Sequence, residues 1–249
     1  MEIVWPYPTD AIGPSSGTLD VWAVRLDAVG ASSAELSATL PAAERQRAEQ
    51  FRLDEPRQRF VITRAALRRL LGRYLGMPAS RIALENDRHG KPRLAHGADD
   101  VHFNVAHSGK LALVAVTAGC EVGVDVERVR AVNHAEQIAR RFFHPTEMHA
   151  ILSAESTTRD AIFMRCWTGK EAVLKAIGSG VTGSLASFRV PTDEFQAAWI
   201  DLPPPLSGNR ARCWLHGLTP SNGYAGAVAC LGEERVVRPF AFDVKDLRP

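Results

Sequence analysis

The chain has 249 residues, of which 45% are hydrophobic, and its formal net charge is only +2. This length and composition are typical of a globular protein with one large domain or two of about 120 residues. The opening stretch MEIVWPYPTD has acidic residues where a signal peptide carries positive charge, and the longest apolar run, at 111–116, is far shorter than the roughly 18 residues that span a bilayer. We therefore expect a cytoplasmic protein without a membrane partner.

The first half of the chain is predicted to combine helices with short strands. A strand is expected at 19–27, an amphipathic helix at 41–51 and a longer helix at 56–75, which Gly76 ends. The other predicted elements follow in order: strands at 81–86, 101–107, 111–117 and 120–127, with turns at 87–92 and 118–119.

The second half repeats this order of elements. Its helices are predicted around 133–153 and 158–178, and its strands near 187–190, 197–201, 212–218 and 224–231. Helices followed by strands, twice, predict an α+β fold of two similar subdomains, 1–122 and 123–249. Because clefts between domains are favoured binding places, we expect the functional site between the two subdomains.

Neither the cysteines nor the histidines suggest a cross-link or a metal site of their own. The cysteines at 120, 166, 213 and 230 are widely separated and form no C-x-x-C pair, so we expect them to be reduced. His144 and His149 stand five apart around Pro145, which is not the one-turn spacing of zinc ligands on a helix.

A basic segment covers the two predicted helices of the first half. Nine arginines and four acidic residues lie between Glu44 and Arg73. Such a run is either a solvated helical face or a docking surface for phosphate or an acidic protein, because guanidinium groups hold phosphate in bidentate fashion.

The stretch CEVGVDVERV, at 120–129, carries the first signal of chemistry. Its valines alternate with Asp125 and Glu127, so in a strand the two carboxylates share one face, about 7 Å apart. Carboxylates that approach each other repel, and a cation or solvent must compensate for them.

Three further segments offer groups that bind phosphate. In CWTGKEAVLKAIGSGV, Glu171 and Lys175 are four apart and lie on one face of a predicted helix, where they could equally form an ordinary surface pair. HGKPRL places Lys91 in a tight turn, and VHFNVAHSGK places His107 at a strand end before Ser108.

Together these segments suit phosphoryl transfer. That chemistry needs carboxylates for a hard divalent cation and cationic or hydrogen-bonding groups for phosphate oxygens. The sequence has no G-x-x-x-x-G-K-[ST] loop, so a P-loop is disfavoured. G-x-G-x-x-G occurs at 178–183 and G-x-S-x-G at 13–17, but the first follows a predicted helix and the second precedes a predicted strand. Because neither joins a strand to a following helix, a Rossmann unit and a serine hydrolase are also disfavoured.

The motifs resemble those of the Sfp-type 4′-phosphopantetheinyl transferases. G-V-D-V-E at 123–127 and W-T-G-K-E-A-V-L-K at 167–175 are similar to the two signature motifs of this family. Accessory motifs match in the same order: H-G-K-P at 89–92, F-N-V-A-H-S at 103–108 and R-R-F-F-H-P-T-E at 140–147. The resemblance spans about 40–190 and implies two α+β subdomains related by pseudo-twofold symmetry, with the active site in the cleft between them.

The resemblance implies a reaction. The phosphopantetheine arm of coenzyme A would pass to a serine hydroxyl of an apo acyl, peptidyl or aryl carrier protein, with Mg²⁺, or alternatively Mn²⁺, on the diphosphate and 3′,5′-ADP as the other product. Such an enzyme would act as a monomer and would not bind nucleic acid.

The resemblance also implies roles for individual residues. The metal ligands would be Asp125, Glu127 and Glu171, and the catalytic residues would be Glu171 as the base, Lys175 and His107. The implied contacts to coenzyme A come from Lys91, His107, Ser108 and Lys175, with Arg47, Arg59 and Arg64 at the 3′-phosphate and adenine end.

Two alternatives remain open from the residues alone. A magnesium-dependent hydrolase of diphosphates such as coenzyme A would need the same carboxylates and lysine but no carrier protein. A non-catalytic module could use the arginine-rich segment to bind nucleic acid or an acidic partner, with steep salt dependence and no turnover.

Overall fold

The computed structural model describes residues 2–8, 13, 15, 17–27, 33–87, 90–95, 100–178, 185–194, 196–204, 206 and 210–247. The helices are α1 (Ser33–Ala38), α2 (Ala42–Glu49), α3 (Asp54–Leu75), α4 (Ala135–Phe142), α5 (Pro145–Ser153) and α6 (Ser156–Ile177). The strands are β1 (Thr18–Arg25), β2 (Leu84–Asn86), β3 (Pro92–Leu94), β4 (Val101–Ser108), β5 (Leu111–Ala118), β6 (Val122–Arg128), β7 (Ala197–Asp201), β8 (Arg212–Leu218), β9 (Tyr224–Leu231) and β10 (Val236–Phe242).

Two four-stranded sheets form the centre of the protein. The first sheet has the strand order β10-β1-β5-β4 and the second has the order β6-β9-β8-β7, while β2 pairs with β3 alone. Neighbouring strands are antiparallel except β1 and β10, which run parallel. The predicted α+β class is therefore confirmed, with two four-stranded sheets and two long helices, α3 and α6.

Apolar side chains point to both faces of each sheet, and they form three hydrophobic core layers. One face of the first sheet packs against α3 through residues such as Trp22 and Leu70, and one face of the second sheet packs against α6 through residues such as Leu215 and Val173. The two remaining faces pack on each other, and the valines at 122, 124 and 126 lie in this shared layer. The strand face that carries Asp125 and Glu127 is therefore the face toward α6.

Most of the predicted elements are confirmed, and the differences have local causes. The expected helix at 133–153 is two helices, because Pro145 starts α5 and keeps His144 extended. The expected strand at 187–190 is absent: Leu185–Ser187 is a 3₁₀ turn and the segment continues as a loop. Strand β10 is not among the predicted elements. It contains Pro239, which a central strand would not tolerate, and it lies at the edge of its sheet.

The expectation that all four cysteines are reduced is wrong for two of them. Cys120 and Cys230 form a disulfide, while Cys166 and Cys213 are buried free thiols. The two bonded cysteines are 110 residues apart in sequence, but antiparallel pairing of β6 with β9 brings their Cα atoms to 6.5 Å. The spacing of the two cysteines in the sequence does not indicate that they are close in space.

The division of the chain into 1–122 and 123–249 stays a prediction. Strand β10 bears on it, because this late segment completes the sheet of the first half by pairing with β1. In the described part of the chain, no helix combines the length and the apolar character needed to cross a membrane.

Candidate active site

The site begins with a close approach between β6 and α6 at Gly123. A Cβ atom at this position would overlap the carbonyl oxygen of Ala172 and the amide nitrogen of Ala176. Only glycine allows this contact, which explains the glycine that opens the G-V-D-V-E motif. The approach places Asp125, two residues further along β6, against the last turns of α6.

An ion pair joins the two signature motifs. Lys175 Nζ lies 2.7 Å from Asp125 Oδ1 and also donates to the carbonyl oxygen of Val124 at 3.3 Å. Asp125 is only 6% exposed, and within the described residues its Oδ2 has no hydrogen-bond partner. Burial raises the pKa of Asp125 to about 6 against the opposing charge of Lys175, and the charges of Glu171 and Glu127 add to the increase.

Glu171 and Glu127 complete the acidic side of the site. Burial raises the pKa of Glu171, Lys175 lowers it, and the charge of Glu127 raises it again. Glu127 accepts a hydrogen bond of 2.6 Å from the hydroxyl of Ser108, and that hydroxyl accepts from the backbone amide of Arg128 at 3.2 Å. Ser108 therefore orients Glu127 in this structure.

A metal site is not preassembled from these side chains. In the described residues, no group of three or more His, Cys, Asp or Glu side chains is arranged to hold an ion. The charges of Glu127 and Glu171 nevertheless act on Asp125 closely enough to raise its pKa, the charge of Glu127 also raises the pKa of Glu171, and Lys175 compensates for part of the repulsion. The donor set is oxygen only, as a hard divalent cation requires.

The two halves meet at this site through Asn104 and Lys91. The side-chain oxygen of Asn104, on β4, accepts a 2.9 Å hydrogen bond from the backbone amide of Val124 on β6. Lys91 Nζ donates to the carbonyl oxygens of Val122 at 3.0 Å and Lys175 at 2.9 Å. Both side chains line a cleft of about 290 Å³, together with Asp87, Gly90, Pro92, Val105, Glu171, Leu174, Lys175 and Gly178.

Hydrogen bonds between Asp87 and Lys91 hold the turn that carries Lys91. Asp87 accepts from the amide of Lys91 through its side chain at 2.9 Å and donates its own amide to the Lys91 carbonyl at 2.9 Å. His89, which belongs to the H-G-K-P motif, lies outside the described residues.

His107 lies near one of the predicted arginines. Partial desolvation lowers its pKa, and the positive charges of Arg59 and Lys175 lower it further, so all three groups are within electrostatic range. Arg59 is paired with Glu55 one helical turn away. The described contacts of Arg64 are with Glu44 and the ring of Phe60, and those of Arg47 are with Gln50 and the ring of Phe51.

Comparison with known proteins settles the family. The profile of the 4′-phosphopantetheinyl transferase superfamily matches residues 121–229, and that of the 4′-phosphopantetheinyl transferase N-terminal region matches residues 30–119. The 4′-phosphopantetheinyl transferase HetI of Nostoc sp. is 33% identical over 219 residues, which cover 87% of this chain and 89% of the relative. The chain belongs to the 4′-phosphopantetheinyl transferase superfamily.

Further relatives of the transferase carry the same description. A putative 4′-phosphopantetheinyl transferase of Synechocystis sp. is 36% identical over 176 residues, covering 70% of this chain and 71% of the relative. The 4′-phosphopantetheinyl transferase Sfp of Bacillus subtilis is 26% identical over 185 residues, covering 74% and 79%. The chain is therefore an enzyme that transfers phosphopantetheine from coenzyme A to carrier proteins, and neither alternative drawn from the residues alone is needed.

Sequence reasoning missed a second ion pair of the transferase, between Lys170 and Glu147. Both side chains are fully buried, with Nζ and Oε2 2.8 Å apart. Lys170 also donates to the carbonyl oxygens of Leu185 and Phe188 at 2.7 Å each. Glu147 accepts from the amides of His144 and Val190. The sequence signal was the capping-box spacing of His144 and Glu147 before α5.

Asn104 was the other omission. It is a buried amide among apolar neighbours in F-N-V-A, where an unsatisfied polar group would be costly, so a partner was to be expected. That partner, the Val124 amide, lies in the other half of the transferase and is not visible from local sequence.

Proposed function

We propose that Asp125, Glu127 and Glu171 hold a divalent cation, Mg²⁺ or alternatively Mn²⁺, beside the diphosphate of coenzyme A. The observation that carries this proposal is the buried Oδ2 of Asp125, which has no hydrogen-bond partner in the described residues and lies near two further carboxylates whose charges raise the pKa of Asp125. Mg²⁺ keeps several waters and takes few protein carboxylates, with substrate phosphate completing its octahedron, so a partly assembled site suits it. When bound, the cation would neutralise charge on the diphosphate.

The chain's own residues would act on the carrier serine. We assign the general base to Glu171, whose burial raises its pKa toward the range in which a carboxylate accepts a proton at neutral pH. As the serine oxygen forms its bond to the β-phosphorus, the serine proton passes to Glu171. The bond between that phosphorus and the oxygen of the departing 3′,5′-ADP then breaks with its electron pair.

Lys175 would compensate for the charge that collects on the leaving group. It is already held at the site by Asp125, which fixes its ammonium before substrate arrives, and preorganised charge is the largest contribution in many enzymes. His107, on β4, would assist Lys175 at the leaving group. The positive charge of Lys175 is one of the causes that lower the pKa of His107.

The remaining contacts to coenzyme A are assigned to the residues that the family resemblance suggests. Lys91 lines the cleft beside Lys175 and would bind a phosphate. His107 and Arg59 lie within electrostatic range of each other and would share the 3′-phosphate, with Arg47 and Arg64 further along α2 and α3 toward the adenine. Ser108 would act mainly by orienting Glu127. Its hydroxyl would secondarily donate a hydrogen bond to a phosphate of coenzyme A.

The partner would be an apo carrier protein of the acyl, peptidyl or aryl type, and the transferase would act as a monomer. Residues from both halves of one chain line the cleft, so a partner subunit is not required to complete it. Nucleic acid is not among the proposed partners. A cytoplasmic location also stays a prediction, and the Cys120–Cys230 bond weighs against it, because disulfides persist mainly in oxidising compartments.

Intact-mass spectrometry tests these assignments. Purified apo acyl, peptidyl and aryl carrier proteins are incubated with the enzyme, coenzyme A and Mg²⁺, and a parallel set receives EDTA. We expect a mass gain of one phosphopantetheine arm that EDTA abolishes and Mg²⁺ in excess restores. Transfer that continues at full rate in EDTA would overturn the metal assignment, and Asp125→Asn with an unchanged rate would overturn it independently.

A further inference from the structure

Lys91 has a complete set of hydrogen-bond acceptors inside the protein. An ammonium group has three donors, and three acceptors surround Nζ: the Lys175 carbonyl at 2.9 Å, the Val122 carbonyl at 3.0 Å and Glu121 Oε2 at 3.3 Å. A phosphate that binds Lys91 must therefore replace one of these acceptors.

The three acceptors differ in how readily they can leave. The Lys175 carbonyl belongs to the last turn of α6 and the Val122 carbonyl to the start of β6, so both are fixed by the backbone. Glu121 is the most distant of the three, and its side chain is 52% exposed on the loop before β6. Glu121 is therefore the acceptor that an incoming anion displaces at the lowest cost.

A second partner is in place to receive Glu121 when it is displaced. His102 Nδ1, on β4, lies 3.2 Å from the other carboxylate oxygen, Oε1. The hydrogen bond with His102, ahead of the charge of Lys91, lowers the pKa of Glu121 to about 2 against the effect of burial. Glu121 is thus an anion throughout the neutral range, with the same charge sign as the phosphate that it would give way to.

We propose that Glu121 is a placeholder anion: it occupies Lys91 in the free enzyme and is exchanged for a phosphate of coenzyme A, while His102 retains the released carboxylate. This proposal rests on the proposed contact between Lys91 and coenzyme A. It makes Glu121 a positioning residue that sets substrate affinity, because every binding event must include the exchange.

The test measures coenzyme A affinity by isothermal titration calorimetry in Mg²⁺, together with kcat and KM for coenzyme A on one carrier. Glu121→Gln removes the competing charge, and we expect the Kd for coenzyme A to fall about two- to fivefold, the range of a partly exposed ion pair. The turnover number should stay within about twofold, since the exchange precedes the chemical step. Glu85→Gln is the matched control, because Glu85 is also half-exposed and pairs with a cation, Arg93, at 2.8 Å.

A double-mutant cycle separates the possible outcomes. Lys91→Met should weaken coenzyme A binding by about tenfold or more, and adding Glu121→Gln to it should change nothing further. If Lys91→Met leaves binding unchanged, the proposed contact between Lys91 and coenzyme A fails. If Lys91→Met weakens binding but Glu121→Gln alone weakens it or has no effect, only the placeholder fails. A gain from Glu121→Gln that persists without Lys91 would reflect a general field effect and would also overturn the placeholder.

Discussion

Two lysine–carboxylate pairs lie on the same helix, α6, and they are built differently. Lys170 and Glu147 are completely buried, and the backbone supplies further partners to both side chains. Lys175 is partly exposed and lines the cleft, whereas Asp125 is buried and keeps one oxygen without a partner in the described residues. A complete polar network specifies one structure, whereas an incomplete one is ready for a ligand. Five residues along one helix thus separate a pair with a complete set of partners from the pair that we propose acts in catalysis.

The largest effect should come from Glu171, the proposed general base, which lies beside the Lys175–Asp125 pair. Glu171→Gln keeps the shape of the side chain but cannot take the serine proton, so we expect kcat to fall by about 10²- to 10⁴-fold. Turnover of an apo carrier, followed by intact mass, measures this. The melting temperature should not fall, because the variant no longer buries a charge. A rate within about threefold of the wild type would place the base on another residue.

Mutation of the fully partnered pair, Lys170 and Glu147, should lower the stability of the fold and leave the catalytic step unchanged. Lys170→Met leaves Glu147 as an uncompensated buried charge, so we expect the free energy of unfolding to fall by about 3–5 kcal/mol. Lys175→Met should cost only about 1 kcal/mol, because Asp125 can take up a proton and neutralise itself. Urea unfolding of both variants at pH 7 checks the contrast. Equal losses would mean that the two pairs are energetically alike.

The pH dependence of stability should report Asp125. Its pKa is raised to about 6 in the folded state, above the ordinary value of about 3.9 in the unfolded chain. Between about pH 4 and 6 the folded protein therefore binds more protons, and the unfolding free energy falls as pH rises, by about 2–3 kcal/mol from this group. Asp125→Asn should remove this decrease.

Urea unfolding in EDTA across pH 4 to 7 measures the difference, since bound metal would change the pKa. The control is Asp201→Asn, an exposed aspartate paired with Arg212. If the decrease between pH 4 and 6 is the same in Asp125→Asn as in the wild type, the titration belongs to another group.

The smallest effect should come from an exposed ion pair, which differs from both lysine–carboxylate pairs of α6. Glu136 and Arg140 stand one turn apart on α4, with more than half of each side chain exposed. Solvent screens such pairs, so Glu136→Gln should lower the unfolding free energy by only about 0.3–0.5 kcal/mol. Thermal and urea unfolding check this value. A loss above about 1 kcal/mol would show that exposure does not rank the ion pairs of this protein.

The sequence revealed features that depend on local periodicity. The alternation of valines around Asp125 fixed the face of β6, and the four-residue spacing placed Glu171 beside Lys175, because side-chain direction follows from the backbone geometry of one element. Both expectations agree with the packing of β6 on α6.

Features that depend on pairing between distant segments could not be read in the same way. The partner of Lys170 is on another helix, and the Cys120–Cys230 bond joins positions that only sheet register brings together. Strand β10 is absent from the predicted elements, and its Pro239 is compatible with a strand only at a sheet edge, a position that the sequence does not reveal. In each case the missing information was a tertiary contact between segments that are distant in the sequence.

The parallel pairing of β1 with β10 has a consequence for synthesis of the protein. Thr18 pairs with Val236, so β1 receives this neighbour only after more than 200 further residues have been made. Until then β1 can pair with β5 alone, and its other edge has unpaired backbone groups that invite contact with other chains. We expect the nascent first half to be a state that chaperones protect, and the arrival of β10 to be the step that closes it.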